Sequence, residues 1–504
     1  MKAIIEISKN LFIIATLSII LVSCGDDLLN TDTTEYATLE QINEKMQGAG
    51  DNIDGIVALL NATMSGAYNA MITYQGRHDS FGEMSTGLSG DLMTEDVVMN
   101  YRTHFIYDYD IDNNAATYAR PTNTWNYLYL VVSACNEIIE KVQSDVESPK
   151  LQGILGEALA LRAYAFHTLI QRYQQTYKGN ETAPGIPLNL TENDDRPKVR
   201  NRGTVEAVYD KILTDYEKAV ELLSNAPARA NKALIDKNVA SGLFARALMV
   251  VGDWTRAAEY ARQARQGYTL MDASEIVADG FNNINNKEWI WGADITSETT
   301  TMFASFFSHV CSYDVGYAES TFAPKLIDAR LYGQMSATDV RKAWFKAPDL
   351  PVDGTSPITE VNAPSYCNFK FKKVDGWLAD YIYMRASEMY LIEAEALAQQ
   401  NRGSEAATIL NELMDKRDPA WAANHATATV EDVFLNKRIE LWAEGHIFYD
   451  YLRLKKGVER DYPGSNHMVK QNQPAGSWKF IYQIPQAEMD NNDELTEQDQ
   501  NKLS

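Results

Sequence analysis

Two stretches decide the fold: Leu243–Ala258, LFARALMVVGDWTRAA, and Ile392–Ala407, IEAEALAQQNRGSEAA. Laid over one another at a constant offset, Leu243, Ala245, Ala247, Leu248, Ala257 and Ala258 fall on Ile392, Ala394, Ala396, Leu397, Ala406 and Ala407. Each stretch reads as a helix, a short polar turn, and an Ala-Ala start to a second helix. Small side chains at these places let two antiparallel helices approach closely. Tetratricopeptide hairpins pack this way, with a period of about 34 residues. The chain is therefore expected to be mostly α, a tetratricopeptide-like array of helical hairpins with a few short strands.

Working outward, apolar residues at helical spacing extend the array. Helices are predicted over Ile53–Ala70, Trp125–Val142, Leu151–Tyr173, Val205–Leu223, Lys237–Val251 and Trp254–Gln266. Thr204 and Asp236 stand as N-caps, with Glu206 in a first turn where the helix dipole favours an acid. Further helices are predicted over Tyr381–Gln400, Ser404–Lys416 and Val430–Lys455, and EWIWGADI (Glu288–Ile295) reads as a strand. The scaffold thus covers about 53–72, 122–266 and 381–456. Two long irregular excursions interrupt it, 73–121 and 268–380, and residues 457–504 form a C-terminal segment. Uninterrupted loops of that length in a compact protein are usually functional.

Composition narrows the function. The chain has 504 residues and a net charge of −23. That charge excludes the basic footprint of a nucleic-acid binder and any electrostatic grip on anionic lipid. Its 27 tyrosines and 9 tryptophans supply flat contact surfaces as well as core. The four cysteines, Cys24, Cys135, Cys311 and Cys367, form no CxxC and no zinc spacing. Cys135 falls on an apolar helical stripe and is expected to be a buried thiol. At most one disulfide is available among Cys135, Cys311 and Cys367.

The N-terminus carries its own signal. Lys2 and Lys9 precede an apolar run, Leu11–Val22. That run has the length of a signal-peptide core and is too short to span a bilayer. Leu21-Val22-Ser23-Cys24 resembles a bacterial lipobox. Residues 1–23 are then a lipoprotein signal peptide, and Cys24 becomes the acylated first residue. Several acyl chains satisfy the requirement for stable anchoring. Residues 24–50 read as a tether, and 24–504 as one domain. Gly25-Asp26-Asp27 resembles the surface-export signal of some Gram-negative lipoproteins.

Catalytic signatures are absent: there is no GxSxG, HExxH, Walker loop or GxGxxG. The seven histidines are scattered, with no i, i+4 pair, so no metal site is expected from them. DYDIDNN, Asp108–Asn114, places Asp108, Asp110 and Asp112 at the first three ligand positions of a calcium loop. Asn113 replaces the turn glycine and Ala119 the closing glutamate, so a solvated loop is the default and a partial, structural calcium site the alternative. No cofactor is expected otherwise.

Longer stretches carry a family resemblance. EALALRAYAFHTLIQRY with GIPL, VYDKILTDYEKAVELL, YMRASEMYLIEAEAL, NKRIELWAEGHIFYDYLRL and YQIPQAEM are similar, in this order, to motifs of the SusD/RagB family of outer-membrane lipoproteins. Glu440, Leu441, Glu444, Gly445, Asp450 and Arg453 match one signature. The chain departs from the family pattern at Ser387, Asn436, His446 and Gln483. The motifs read as structural, with Glu440 and Glu444 on one helix face and Arg438 among the arginines near enough to pair. The resemblance implies a SusD-like α superhelix without enzymatic activity. It implies a lipid-anchored protein at the cell surface of the outer membrane, capturing oligosaccharide for a SusC-like TonB-dependent β-barrel transporter. Peptide or glycopeptide capture is the alternative, and a glycoside hydrolase a remoter one.

Sugar binding needs aromatic faces for pyranose rings and planar polar groups for hydroxyls. The first excursion offers Tyr74, Arg77, Asp91, Tyr101, Tyr107 and Tyr109, and the second Phe303, Phe306, Tyr313, Tyr317, Trp344 and Trp377. By analogy with the family, Tyr101, Tyr107 and Tyr109 with Tyr313 and Tyr317, joined by Tyr74, are the expected ligand contacts. Of Trp289 and Trp291, one is expected in the core.

Overall fold

The computed structural model describes residues 53–142, 147–190, 201–311, 323–348 and 363–503. Cys24, Tyr313 and Tyr317 lie outside the described residues. Two units divide at Thr63/Met64. Of the first, only Ile53–Thr63, the opening of helix α1 (Ile53–Ala70), is described. All other elements lie in the second unit.

The array forms as the repeat demands. Helices α2 (Glu83–Asp91) and α3 (Ile106–Tyr109) flank strand β1 (Val97–Met99) within the first excursion. Then α4 (Ala119–Lys141), α5 (Pro149–Tyr173), α6 (Val205–Leu223), α7 (Lys237–Val251) and α8 (Trp254–Ala264) pack each on the next. After the second excursion come α12 (Ala386–Gln399) and α13 (Gly403–Met414). Helix α8 packs directly on α12, so the array runs on past the excursion between them. The paired alanines of the repeat, Ala257/Ala258 and Ala406/Ala407, are buried where the hairpins close. Thr204 and Asp236 cap as expected, accepting from the Ala207 and Val239 N–H at 3.1 and 3.0 Å. Helix α5 is buried along nearly its whole length because α4 and α6 both pack on it. Its buried polar side chains Glu157 and Arg162 are matched, Glu157 accepting from the Tyr68 hydroxyl at 2.6 Å and Arg162 pairing with Asp215 of α6 at 2.9 Å.

The excursions are more ordered than a loop reading allows. The second contains α9 (Ala273–Ala278), β2 (Trp289–Ala293), α10 (Phe306–Val310), β3 (Lys325–Ile327) and α11 (Ala329–Gln334). Strand β1 pairs antiparallel with β3, Val97 opposite Ile327, so the two excursions share a sheet. Strand β2 pairs antiparallel with β4 (Tyr381–Arg385), which runs straight into α12. The helix predicted from Tyr381 therefore begins five residues late. Tyr381 and Tyr383 prefer the pleated surface that β2 offers. Trp289 and Trp291 are both buried, not one of them.

The long helix predicted over Val430–Lys455 is also interrupted. It is observed as α15 (Val430–Glu440), after the one-turn α14 (Pro419–Ala422), and α16 (Ile447–Arg453). Between them Ala443 and Gly445 take positive φ, 58° and 85°. The break has a reason in packing: a Cβ on Gly445 would stand 2.8 Å from the Gly87 Cα of α2. Glu440 and Glu444 consequently do not share a helix face, and Arg438 serves neither. Arg438 binds Asp96 and Glu95 instead.

The two motif glutamates anchor a buried ion network. Arg385 binds Glu288, Glu440 and Glu444 at 2.8, 2.7 and 2.8 Å. Arg417 bridges Glu440 and Glu288, Arg341 joins Asp339 to Glu440, and Lys370 binds Glu444 at 2.6 Å. Four acids meet four bases, all essentially without solvent. The neutral Asn436, whose Oδ1 accepts from Arg341 at 3.0 Å, keeps that balance where an acid would upset it. Beyond α16, the two-residue strands β5 (Val458–Glu459) and β6 (Asn472–Gln473) and helix α17 (Gln486–Asn491) complete the chain. Gln483 donates its backbone N–H to the Asn114 carbonyl at 2.8 Å, a bond proline could not make. The polar tail folds back rather than lying free: Asn501 is buried and donates to the Tyr173 and Tyr482 carbonyls.

Candidate functional site in the first excursion

The first excursion encloses a hollow of about 450 Å³ between the turn at 77–80, α3 and the start of α4. Its lining includes Arg77, Ser80, Tyr107, Asn113, Tyr118 and Arg120. The turn is tight: the Ser80 N–H donates to the Arg77 carbonyl at 3.0 Å, and the Gln75 N–H to that of Ser80 at 2.9 Å. Helix α4 starts at Ala119, with Tyr118 as its extended N-cap and Pro121 in its first turn, where a missing N–H costs nothing.

The floor is rigid and charged. Arg120 is buried and donates to both oxygens of Asp108, at 3.1 and 2.9 Å, and to the Asp79 carbonyl at 2.6 Å. Asp79 also binds the half-exposed Arg77 at 3.2 Å. Burial alone would push its carboxyl up, but Arg120 and Arg77 outweigh that and hold it below the usual carboxylate range. Ser80 Oγ is buried at the wall and has no hydrogen-bond partner among the described residues. Such a group favours a ligand that can bond to it.

The rim is aromatic. Tyr107 is 57% exposed and Tyr118 44%. Tyr101 and Tyr74, from adjoining loops, are 59% and 49% exposed. Tyr109 departs from the expectation of ligand contact. It is fully buried, its hydroxyl 2.7 Å from His467 Nδ1 and its ring under the Arg460 guanidinium. The cause is helix α3: residues two apart on a helix point to nearly opposite sides. One tyrosine of the pair faces water and the other the core.

The aspartates of DYDIDNN do not gather around a cation. Asp108 is spent on Arg120, Asp110 binds Arg102 at 2.6 Å, and Asp112 is exposed on the hollow's edge. Of the second excursion's aromatics, Phe306 and Trp344 are core. Phe303 stays exposed and meets Trp377 edge-on at 5.7 Å. Tyr118 was not among the residues singled out from sequence. Pro121 was the available signal, since a proline in a first helical turn fixes the helix start a few residues earlier than the apolar pattern does.

Known proteins resemble this chain over most of its length. A family described as SusD-like, "Starch-binding associating with outer membrane", matches residues 39–249, and the SusD family matches residues 356–502. SusD-like protein P2 of Formosa agariphila is 23% identical over 416 residues, 74% of this chain and 78% of that protein. A SusD-like protein of Bacteroides ovatus is 22% identical, covering 88% of this chain and 82% of its own. The solved SusD-like carbohydrate binding protein of Bacteroides vulgatus superimposes with a TM-score of 0.73 at 24% identity, covering 89% of this chain and 98% of the other. Surface glycan-binding protein A of Bacteroides uniformis does so with a TM-score of 0.65 at 18% identity, covering 88% and 99%.

Proposed function

The chain belongs to the SusD/RagB family, and on that premise we propose that it captures oligosaccharide at the outer-membrane surface and hands it to a SusC-like TonB-dependent transporter. Members of this family bind carbohydrate and associate with the outer membrane. The observation that carries the reading for this chain is the hollow with exposed Tyr107 and Tyr118 above Arg77, Asn113 and the unpartnered Ser80 hydroxyl. Tyrosine faces stack on the apolar side of a pyranose. Planar guanidinium and amide groups take its hydroxyls in the paired geometry those hydroxyls present. The hollow suits a ligand of a few sugar rings, and its polar contacts would fix orientation.

Capture and delivery need no chemical step, and the protein acts without catalysis. Anchoring through acylated Cys24 would leave the array at the cell surface. No helix among the described residues is long and apolar enough to cross a membrane. Retardation of the mature chain in gels containing individual glycans tests the reading. Binding to at least one glycan, lost in the Tyr107→Ala, Tyr118→Ala double variant, is expected. Co-purification of the native lipoprotein with a large β-barrel tests delivery. Binding of cationic peptides that weakens with salt, with no glycan retained, would replace sugar by peptide as the cargo.

A further inference from the structure

Three of the seven histidines, unconnected by any sequence spacing, meet in the fold. His78 sits in the tight turn at the wall of the hollow, His104 just before α3, and His309 on α10 of the second excursion. The rings of His78 and His104 stack with centroids 4.5 Å apart, and His309 stands edge-on to them at 5.3 and 5.7 Å. One ligating atom from each lies within 4.8 Å of the other two. His78 Nδ1 and His309 Nε2 are 3.3 Å apart. Two nitrogens bound at about 2.0–2.1 Å to one tetrahedral ion stand about 3.3 Å from each other. We propose that His78, His104 and His309 bind a divalent transition-metal ion of the zinc class, with a fourth position open to water or to an oxygen of a bound ligand.

The donor set selects the metal. Three imidazoles suit Zn²⁺, Ni²⁺ or Cu²⁺, whereas Ca²⁺ and Mg²⁺ require oxygen ligands. The surroundings have the grading of an open site. His309 is buried, stacked against Phe81 at 5.8 Å and met edge-on by Phe105 at 5.0 Å. His78 is half-buried and His104 exposed. A dry, rigid back and one wet side leave space for a fourth ligand. His309 Nε2 is also 3.0 Å from the His78 carbonyl, where a proton on that nitrogen would be held. Loading places that proton on Nδ1 and turns the Nε2 lone pair to the ion, with no net proton released from a neutral ring.

The consequence is a cross-link. One ion would tie the turn and loop of the first excursion to a helix of the second. It would do so beside Tyr101 and Tyr107, which flank His104 at three residues' distance on either side. This holds whatever the hollow binds.

The test uses the untagged mature chain, stripped of metal with a chelator and titrated with Zn²⁺ by calorimetry and with Co²⁺ by visible absorption. One equivalent of Zn²⁺ is expected, together with the intense d–d bands of a four- or five-coordinate Co²⁺ and a rise in melting temperature on loading. His104→Ala, a change at an exposed position, should weaken Zn²⁺ binding at least about tenfold and abolish the metal-dependent rise. The metal-free melting temperature of that variant should stay where it was. His425→Ala, whose ring stacks on Trp421 at 3.8 Å instead, should bind as the parent does. The proposal falls if no stoichiometric Zn²⁺ binds, or if binding persists undiminished in both His104→Ala and His78→Ala.

Discussion

The ion network beneath the array and the hollow in the first excursion are both built from arginines and carboxylates, yet they are organised in opposite ways. In the network every charge is matched and sealed: Arg385, Arg417, Arg341 and Lys370 against Glu288, Glu440, Glu444 and Asp339. In the hollow the matching stops one layer short of the surface. Arg120 and Asp108 close on each other and Asn113 donates to Asp108 at 3.0 Å, while the half-exposed Arg77 of the Arg77–Asp79 pair and two tyrosines line the cavity beside the buried, unpartnered Ser80 hydroxyl. A buried network that is complete has nothing to offer a ligand and holds the fold together. A layer that is incomplete on one side can bind. The difference predicts that mutations in the first region move stability and mutations in the second move affinity.

The sharpest way to break that division is at Glu440. Its carboxylate is held well below its usual range; burial alone would raise it, but Arg417, Arg385 and Arg341 overwhelm that effect. Glu440→Ala leaves three buried guanidinium groups short of an anion. A loss of about 3–5 kcal/mol is expected from chemical denaturation, with glycan affinity per folded molecule unchanged. A loss under about 1 kcal/mol would mean the network is not what fixes the array.

Next in size is the contact between Gly87 and Gly445. Gly445→Ala both strains a φ of 85° and drives a methyl against the Gly87 Cα, so about 2–4 kcal/mol should be lost. Calorimetric melting of the two single alanine variants and the double would read it. The backbone approach makes the Gly87→Ala and Gly445→Ala losses non-additive.

A smaller effect is written in pH. Asp91 of α2 accepts the Gly445 and Phe448 N–H groups. Burial raises its carboxyl to about 7, against the opposing pull of those donors. A carboxyl raised on folding binds its proton more tightly in the native state. Its stabilising contribution is complete below about pH 4 and is lost as pH rises toward 7. Glu395 runs the other way. Arg453 and Lys437 overcome its burial and hold it at about 2, so its contribution is present above about pH 4.5 and is lost as pH falls toward 2. Asp91→Asn should therefore flatten the decline in stability between pH 4 and 7, by on the order of 2 kcal/mol, and leave the acid limb alone. An unaltered slope in a pH series of urea melts would show that Asp91 is ionised in the native protein at no cost.

The same contrast explains what could be read from the amino-acid order. The array was legible because its signal is local and redundant: spaced apolar residues, caps at Thr204 and Asp236, alanines where hairpins close. The helices Val205–Leu223 and Lys237–Val251 fall where the pattern puts them. Errors came where a distant partner overrides local preference. Strand β4 exists because β2 lies beside it. The break after Glu440 exists because Gly87 must be approached. Within the first excursion the failure was one of direction. Taken as loop, Tyr107 and Tyr109 are equivalent; on α3 they face opposite sides. The convergence of His78, His104 and His309 has no sequence signal at all, since 26 and 205 residues separate neighbours in the set.

The smallest expected stability change accompanies the most informative binding change. Tyr107 and Tyr118 are 57% and 44% exposed, so replacing either by alanine should cost no more than about 1 kcal/mol of unfolding free energy. Each should nevertheless lower affinity for the cognate glycan by about tenfold, the worth of one aromatic stacking face in a partly desolvated site. Tyr109→Ala is the internal contrast. It empties a core position under Arg460 and should cost about 3–5 kcal/mol while touching no ligand. If Tyr109→Ala and Tyr107→Ala instead lowered affinity alike at equal stability, α3 would not be the helix that separates them. The separation of buried core from open hollow would then fail on the one turn, α3, that carries a tyrosine of each.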